Sequence, residues 1–277
     1  VGEHDVRVGV ATIRRGRERH LARQARGVRE GTRMPDDYVV VSMDPDEPEA
    51  SPSGPRVVRM PVPDGTPLPL SAARNAAIAA LGDVDLAVLL DVDCIPAPGL
   101  VARYADAWAG DPDAQRLLAG PVAYLPPGRP AEGDVLSTDD RRSARAPDAR
   151  PVPADGEIRD EPRHALFWSL SFAVTPALHA RIGGFDEGYV GYGGEDTDYA
   201  FRARAAGVGL AWVGGAWAYH QHHPVSHPPR EHVATIVPNA RRFRALWGRW
   251  PMEGWLRVFA AEGLVRWEPD GTVLELR

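Results

Sequence analysis

The stretch Leu86-Ala87-Val88-Leu89-Leu90 is apolar at every position and ends in Asp91-Val92-Asp93, followed by Cys94-Ile95-Pro96. A short unbroken apolar run closed by polar and turn residues reads as a buried strand, here one whose carboxyl end enters a crevice. The segments before it alternate in type. Asp5 to Ala11 and Tyr38 to Met43 read as strands, with Arg56 to Met60 a third. Glu18 to Glu30 carries an amphipathic helical pattern, and Ser71 to Leu81 is Ala-rich and helical, with Ser71 as N-cap. Strands alternating with helices imply an α/β chain with a Rossmann-like, mixed but mostly parallel central sheet flanked by helices.

The second half extends that pattern. Leu100 to Trp108 reads as a helix and Leu117 to Tyr124 as one strand. From Pro126 to Glu161 the composition turns to Pro, Gly, Asp and Arg without periodicity. A structureless loop that long is a lid, a binding loop or disorder. Order resumes at 164–174, with helices over 176–182, 195–206 and 231–247 and strands over 210–213 and 217–220. The tail after residue 224 spaces Val233, Ile236, Val237, Ala240, Phe243 and Leu246 as one helix face. The expected organisation is a catalytic domain over 1–224 and a helical extension over 225–277 packed on it.

Bulk properties narrow the classes. The 277 residues are 44% hydrophobic, enough for one large core. A net charge of −6 argues against broad nucleic-acid binding. No apolar stretch approaches the roughly 20 residues a bilayer span needs. The first residues, Val1-Gly2-Glu3-His4-Asp5, show neither a basic region nor an apolar core of a leader, and Cys94 is the single cysteine. Together these lead to an expectation of a reducing cytoplasm. The Arg-, Ala-, Gly- and Pro-rich composition suggests a GC-rich bacterial source.

In open α/β sheets ligands bind outside the carboxyl ends of the strands. Two hard oxygen ligands at such an end suit Mg²⁺ or Mn²⁺ holding a diphosphate; a surface loop is the other reading of Asp91 and Asp93. The most specific segment is Gly183-Gly184-Phe185-Asp186-Glu187 followed by Gly191-Tyr192-Gly193-Gly194-Glu195-Asp196-Thr197-Asp198. Its glycines allow close backbone approach to a ligand, and its acids sit at a helix N-terminus that keeps Glu195 and Asp196 ionised. A glycine turn with an acidic cap accounts for most of this, but not for Tyr192 beside open backbone. An aromatic face next to carboxylates suits a sugar ring. Downstream, Tyr219-His220-Gln221-His222-His223-Pro224 offers imidazoles that would complete a metal shell begun by Asp93, or forms a polar turn.

In their order these motifs resemble the nucleotide-diphospho-sugar glycosyltransferases of the A-type fold. They are most similar to the β-1,4-galactosyltransferases, the C-terminal region of the polypeptide N-acetylgalactosaminyltransferases, and bacterial family 2 enzymes. The resemblance rests on four stretches: Arg15 to Leu21, Ala73 to Ala77, Asp91-Val92-Asp93 with Pro96, and Phe167 to Val174 with the glycine-acid block. It implies a metal-dependent hexosyltransferase using a UDP-sugar and Mn²⁺ or Mg²⁺. Asp196 would be the base, with Glu195 binding sugar hydroxyls. Thr12, Arg15, Arg17, Asp44, Arg74, Asp91, Val92, Asp93 and Gly194 would meet the donor. Asp44 is equally a turn former before Pro45, and Arg74 equally a surface ion-pair partner. Trp168, Tyr192, Gly193 and Glu195 would meet a small-molecule, saccharide or protein acceptor. Asp93, His220 and His222 would hold the metal, with His223 an alternative to His220. Tyr192 stands where the animal enzymes have Trp, and Thr197 where they have an acid. Single displacement with inversion is the expected stereochemistry; retention, a nucleotidyltransferase or a non-catalytic sugar-nucleotide-binding module are the alternatives.

Overall fold

The computed structural model describes residues 5–46, 54–130, 136–224 and 226–277. Val1 to His4, read above, and parts of the 45–55 and 126–161 loops lie outside the described residues. The first layer follows the alternation read from the sequence: β1 (Val8–Arg14), α1 (Glu18–Arg29), β2 (Asp37–Ser42), β3 (Arg56–Arg59), α2 (Leu70–Ala80) and β4 (Leu86–Leu90). Ser71 lies inside α2 rather than capping it; Pro69 is the cap residue, its fixed φ suiting entry into a helix. Next come β5 (Cys94–Pro96), α3 (Leu100–Ala109), β6 (Arg116–Ala119) and β7 (Val122–Tyr124). The single strand expected over 117–124 is therefore two. Gly120 and Pro121 divide it, and a Cβ at Gly120 would lie 2.3 Å from the Ala216 carbonyl.

The loop expected to be structureless over 126–161 contains a helix, α4 (Thr138–Ser143), and an edge strand, β8 (Ile158–Asp160). Ser137 and Asp140 form a capping box that closes α4. Beyond them run β9 (Ser171–Val174), α5 (Pro176–Ile182), α6 (Glu195–Ala205), β10 (Gly209–Val213) and β11 (Ala218–His220). The tail holds α7 (Val233–Trp247) and α8 (Glu253–Ala261), and closes with a hairpin of β12 (Val265–Trp267) and β13 (Leu274–Leu276) that its helical spacing did not announce.

The main sheet has the order β3-β2-β1-β4-β9-β6-β10-β8. Neighbours are parallel from β3 through β4 and between β6 and β10, while β9 and β8 run antiparallel to their neighbours. The winding reverses between β1 and β4, and such a switch opens a crevice at the strands' carboxyl ends. All of Leu86–Leu90 is buried, feeding two cores. Ala87 and Leu89 join α2, α5 and α6 on one face; Leu86, Val88 and Leu90 join α3 on the other. Each large apolar side chain so buried contributes about 1.5–3 kcal/mol, which anchors the strand firmly enough to carry acids at its end. A second sheet, β5-β11-β7, lies beyond that end. No described helix is long and apolar enough to cross a membrane.

Candidate active site

The small sheet brings the metal-type residues together. In its register His220 faces Cys94 on one side and Tyr124 on the other, so β11 delivers its last residue beside Asp93. The Gln221 N–H then donates to the Asp93 carbonyl at 2.7 Å. Among the described residues, Asp93, His220 and His223 place one ligand atom each within 4.8 Å of one another. His222, expected in this set, is exposed and lies outside the group, which contains His223 instead. β11 ends at His220, so the two-residue alternation of a strand, which would put His222 on the same face as His220, does not continue past it. Burial lowers the pKa of both imidazoles, that of His220 to about 4, so they stay neutral with lone pairs free. Burial would raise Asp93, but the His20 hydrogen bond and the charge of Arg17 hold it below the usual carboxylate range. One anionic oxygen and two neutral imidazoles form a donor set that fits a divalent transition metal.

Asp91 differs from its neighbour. Burial, and then the Asp93 charge, push it up to about 6. Its carboxylate accepts from the Asp93 N–H at 3.1 Å, while its own N–H donates to the Leu170 carbonyl on the adjoining segment. Gln24 of α1 pins this turn from behind, donating to the carbonyls of Asp91 at 2.6 Å and Cys94 at 3.1 Å. Val92 is buried within the turn. Sequence reading missed Gln24; its place three residues after Leu21 and four before Val28, on the apolar spacing of α1, was the available signal.

The basic turn after β1 divides in an unexpected way. Arg15 reaches away, donating to the Met43 and Val62 carbonyls and to Asp64 at 2.6 Å. It braces the ends of β2 and β3. Arg17 instead lies 3.6 Å from Asp93 Oδ1 and caps α1 in a left-handed conformation, φ 64°. Asp44 accepts from the Gly16 N–H at 2.6 Å and pairs with Arg14 at 2.8 Å, so in this structure it holds the turn. Thr12 is buried, its hydroxyl 2.9 Å from both Gln24 Oε1 and the Leu90 carbonyl. In this structure its hydroxyl ties β1 to α1 and β4.

The glycine-acid block forms the opposite wall. Arg74 is not a surface residue: it is buried, 3.3 Å from Glu195 and 3.8 Å from Asp196. Its neighbour Asn75 grips the Phe185 backbone in both directions, at 2.8 and 2.9 Å. Glu195 is buried between Arg74 and the Gly193 N–H, 3.0 Å away. Burial and the adjacent Asp196 charge raise it to about 7 against the pull of Arg74. Asp196 is more open and is held by Ser169, whose N–H donates at 3.0 Å and whose hydroxyl donates at 2.6 Å. Ser169 was not foreseen as a site residue, although it lies in the Phe167–Val174 motif. Since Leu170 receives the Asp91 N–H, one turn spans both acid pairs.

Trp168 is 38% exposed, and the Arg150 guanidinium lies 4.3 Å over its ring. Tyr192 is equally exposed; its ring stacks on His232 at 4.8 Å and Trp255 at 6.1 Å, and its phenol feels the charges of Glu195, Asp196 and Asp91. The glycines around it admit protein. Gly193 and Gly194 have φ of 99° and 95°, and a Cβ at Gly193 would meet Met252, while one at Gly191 would meet Thr235 at 2.5 Å. Asn239 of α7, buried, completes the seal by bonding to the backbone of Val190 and Tyr192. The tail is thus built into the block. Leu246, expected on the packed face of α7, is instead 53% exposed.

Comparison with known proteins agrees with this geometry. Residues 164–227 match the family model described as the N-terminal domain of galactosyltransferase. The chain is 27% identical over 188 residues to validoxylamine A glucosyltransferases of Streptomyces hygroscopicus subsp. jinggangensis and subsp. limoneus. Those matches cover 63% of this chain and 44% and 41% of the relatives, so the chain spans less than half of their length. A crystal structure of GalNAc-T7 with UDP, GalNAc and Mn²⁺ superposes with a TM-score of 0.61 at 14% identity, covering 94% of this chain and 51% of that one. The chain thus shares the fold of that structure, and its 164–227 segment is similar to the galactosyltransferase family model.

Proposed function

We propose that the chain is a metal-dependent, inverting glycosyltransferase that moves a hexose from a nucleotide-diphosphate sugar to an acceptor hydroxyl. The observation that carries this reading is that two acid pairs with different partners meet at the Ser169–Leu170 turn. Asp93 stands with His220 and His223 on one wall, and Asp196, held open by Ser169, stands on the other. Relatives named as glucosyltransferases and a structural neighbour with UDP and Mn²⁺ support the donor class. Asp93, His220 and His223 would hold Mn²⁺ or Mg²⁺, which supplies Lewis-acid stabilisation of the departing diphosphate. Arg17, beside Asp93, adds forked donors for phosphate oxygens. Asp91 serves the nucleotide or orients Asp93, and Arg74 stands beside both acids of the second wall and opposes the rise in the Glu195 pKa.

Asp196 takes the acceptor proton as the acceptor oxygen bonds to the anomeric carbon. The bond from that carbon to the phosphate oxygen breaks, and its electron pair leaves with the nucleoside diphosphate. Glu195 stays buried and orients sugar hydroxyls, while Tyr192 and Trp168 offer flat faces to the acceptor. Incubation with Mn²⁺ and a panel of UDP- and dTDP-sugars tests the reading, because slow donor hydrolysis requires no acceptor. Chelator-sensitive release of a nucleoside diphosphate is expected, and no release from any donor would sink it. The anomeric configuration of a transfer product, read by NMR, decides between inversion and retention.

A further inference from the structure

Asp93 is approached from a side that the metal reading leaves unused. His20, two residues into α1, places Nδ1 2.5 Å from Asp93 Oδ1. The other carboxylate oxygen, Oδ2, faces His223 Nε2 at 3.3 Å. The same turn of α1 also ties down the histidine-bearing segment. The His20 carbonyl accepts from Gln221 Nε2 at 3.2 Å, and Arg23 donates to Gln221 Oε1 at 3.3 Å. Gln221 is fully buried, and its N–H is the one bonded to the Asp93 carbonyl. One helical turn therefore fixes the rotation of the Asp93 carboxylate and the approach of β11 together. His20 itself stands outside the group whose ligand atoms converge.

We propose that His20 is the positioning residue of the cation site: its Nδ1–H occupies Oδ1 of Asp93, so the carboxylate meets a cation through Oδ2 alone, on the side of His220 and His223. The physical basis is that groups hydrogen-bonded to a ligand set its orientation, and losing one typically weakens metal affinity about 10–100-fold. A carboxylate without that bond is free to rotate, and the rotational freedom must then be lost on binding. The inference rests on the metal reading above.

Calorimetric titration of the full chain with MnCl₂ alone, with no donor or acceptor present, tests it. His20→Ala is expected to weaken Mn²⁺ binding about 10–100-fold and to shrink the gain in melting temperature that Mn²⁺ confers. The metal-free melting temperature stays near that of the wild type. His20→Asn keeps a side-chain N–H donor and is expected to recover part of the affinity. Wild-type affinity in His20→Ala overturns the proposal. So does equal weakening in both variants accompanied by a lowered metal-free melting temperature, which marks a role in folding only. His223→Ala separates the two readings: Mn²⁺ binding absent from the wild type, or unchanged by His223→Ala, overturns the metal reading itself.

Discussion

The two acid pairs, Asp91 with Asp93 and Glu195 with Asp196, look alike in sequence and differ in how the fold treats their members. In each pair one carboxyl loses acidity: Asp91 is pushed up to about 6 and Glu195 to about 7, by loss of solvation first and by the neighbouring charge second. The other member is held by hydrogen bonds from another element: Asp93 by His20, Asp196 by both donors of Ser169. The walls differ in what completes them. Two imidazoles face Asp93, while a guanidinium stands beside Glu195 and Asp196. Arg17 also approaches Asp93, at 3.6 Å, but there the two neutral imidazoles add ligand atoms for a cation, whereas Arg74 adds none beside Glu195 and Asp196. Two closely spaced acid pairs thus acquire different chemistry from their partners.

Breaking the second wall at its open acid should have the largest effect. Asp196→Asn is expected to lower transfer by about 10²–10⁴-fold while Mn²⁺ and UDP titrate as in the wild type; near-normal turnover would remove Asp196 as base. On the first wall, Asp93→Ala is expected to abolish calorimetric Mn²⁺ binding without changing the fold, and retained binding would break the contrast between the walls. Arg74→Ala removes the cation of a buried pair and is expected to cost about 3–5 kcal/mol in urea unfolding, with part of that recovered when Glu195→Gln is added.

The pH response sharpens the comparison further. Glu195 binds its proton more tightly folded than unfolded, with its pKa raised from 4.5 to about 7. Its contribution to stability is therefore present at low pH and is lost as pH rises through that window. Relative to the wild type, Glu195→Gln should become progressively more stable between pH 4.5 and 7, and a constant difference in unfolding free energy would contradict the raised pKa. The smallest effect is expected at the rim. Stacked aromatic contacts are worth about 0.5–1.5 kcal/mol, so Tyr192→Ala should raise the acceptor KM severalfold and leave donor hydrolysis unchanged.

Periodicity made most of the first hundred residues legible, because apolar runs and amphipathic helices there are long and bounded by turn residues. Pro176–Ile182 and Val233–Trp247 were legible for the same reason. Local spacing failed where contacts are distant in sequence. The short strands β5, β7 and β8 have three residues each and gain stability only from pairing with β11 or β10. Among site residues, the motifs exposed Asp93, Asp196, His220 and Arg17. They did not separate His222 from His223, because that depends on how the chain turns after β11. Nor did they show that Arg15 and Thr12 serve the scaffold, since an arginine bonded to carbonyls and one facing phosphate read alike.

The sequence by itself determined the sheet, its crevice and the two acid pairs, since burying an apolar strand such as Leu86–Leu90 leaves its terminal acids only one end to occupy. The tertiary structure alone decided which acid of each pair loses acidity, which histidines converge, and what the glycines are for. Gly191 and Gly193, read as openings for a ligand, instead receive Thr235 and Met252 of the tail. A glycine states that something comes close; only packing says what. The same physical reason governs the acids, because a carboxylate's partners come from elements far along the chain, as Arg74 of α2 is brought to Glu195 of α6 across 121 positions.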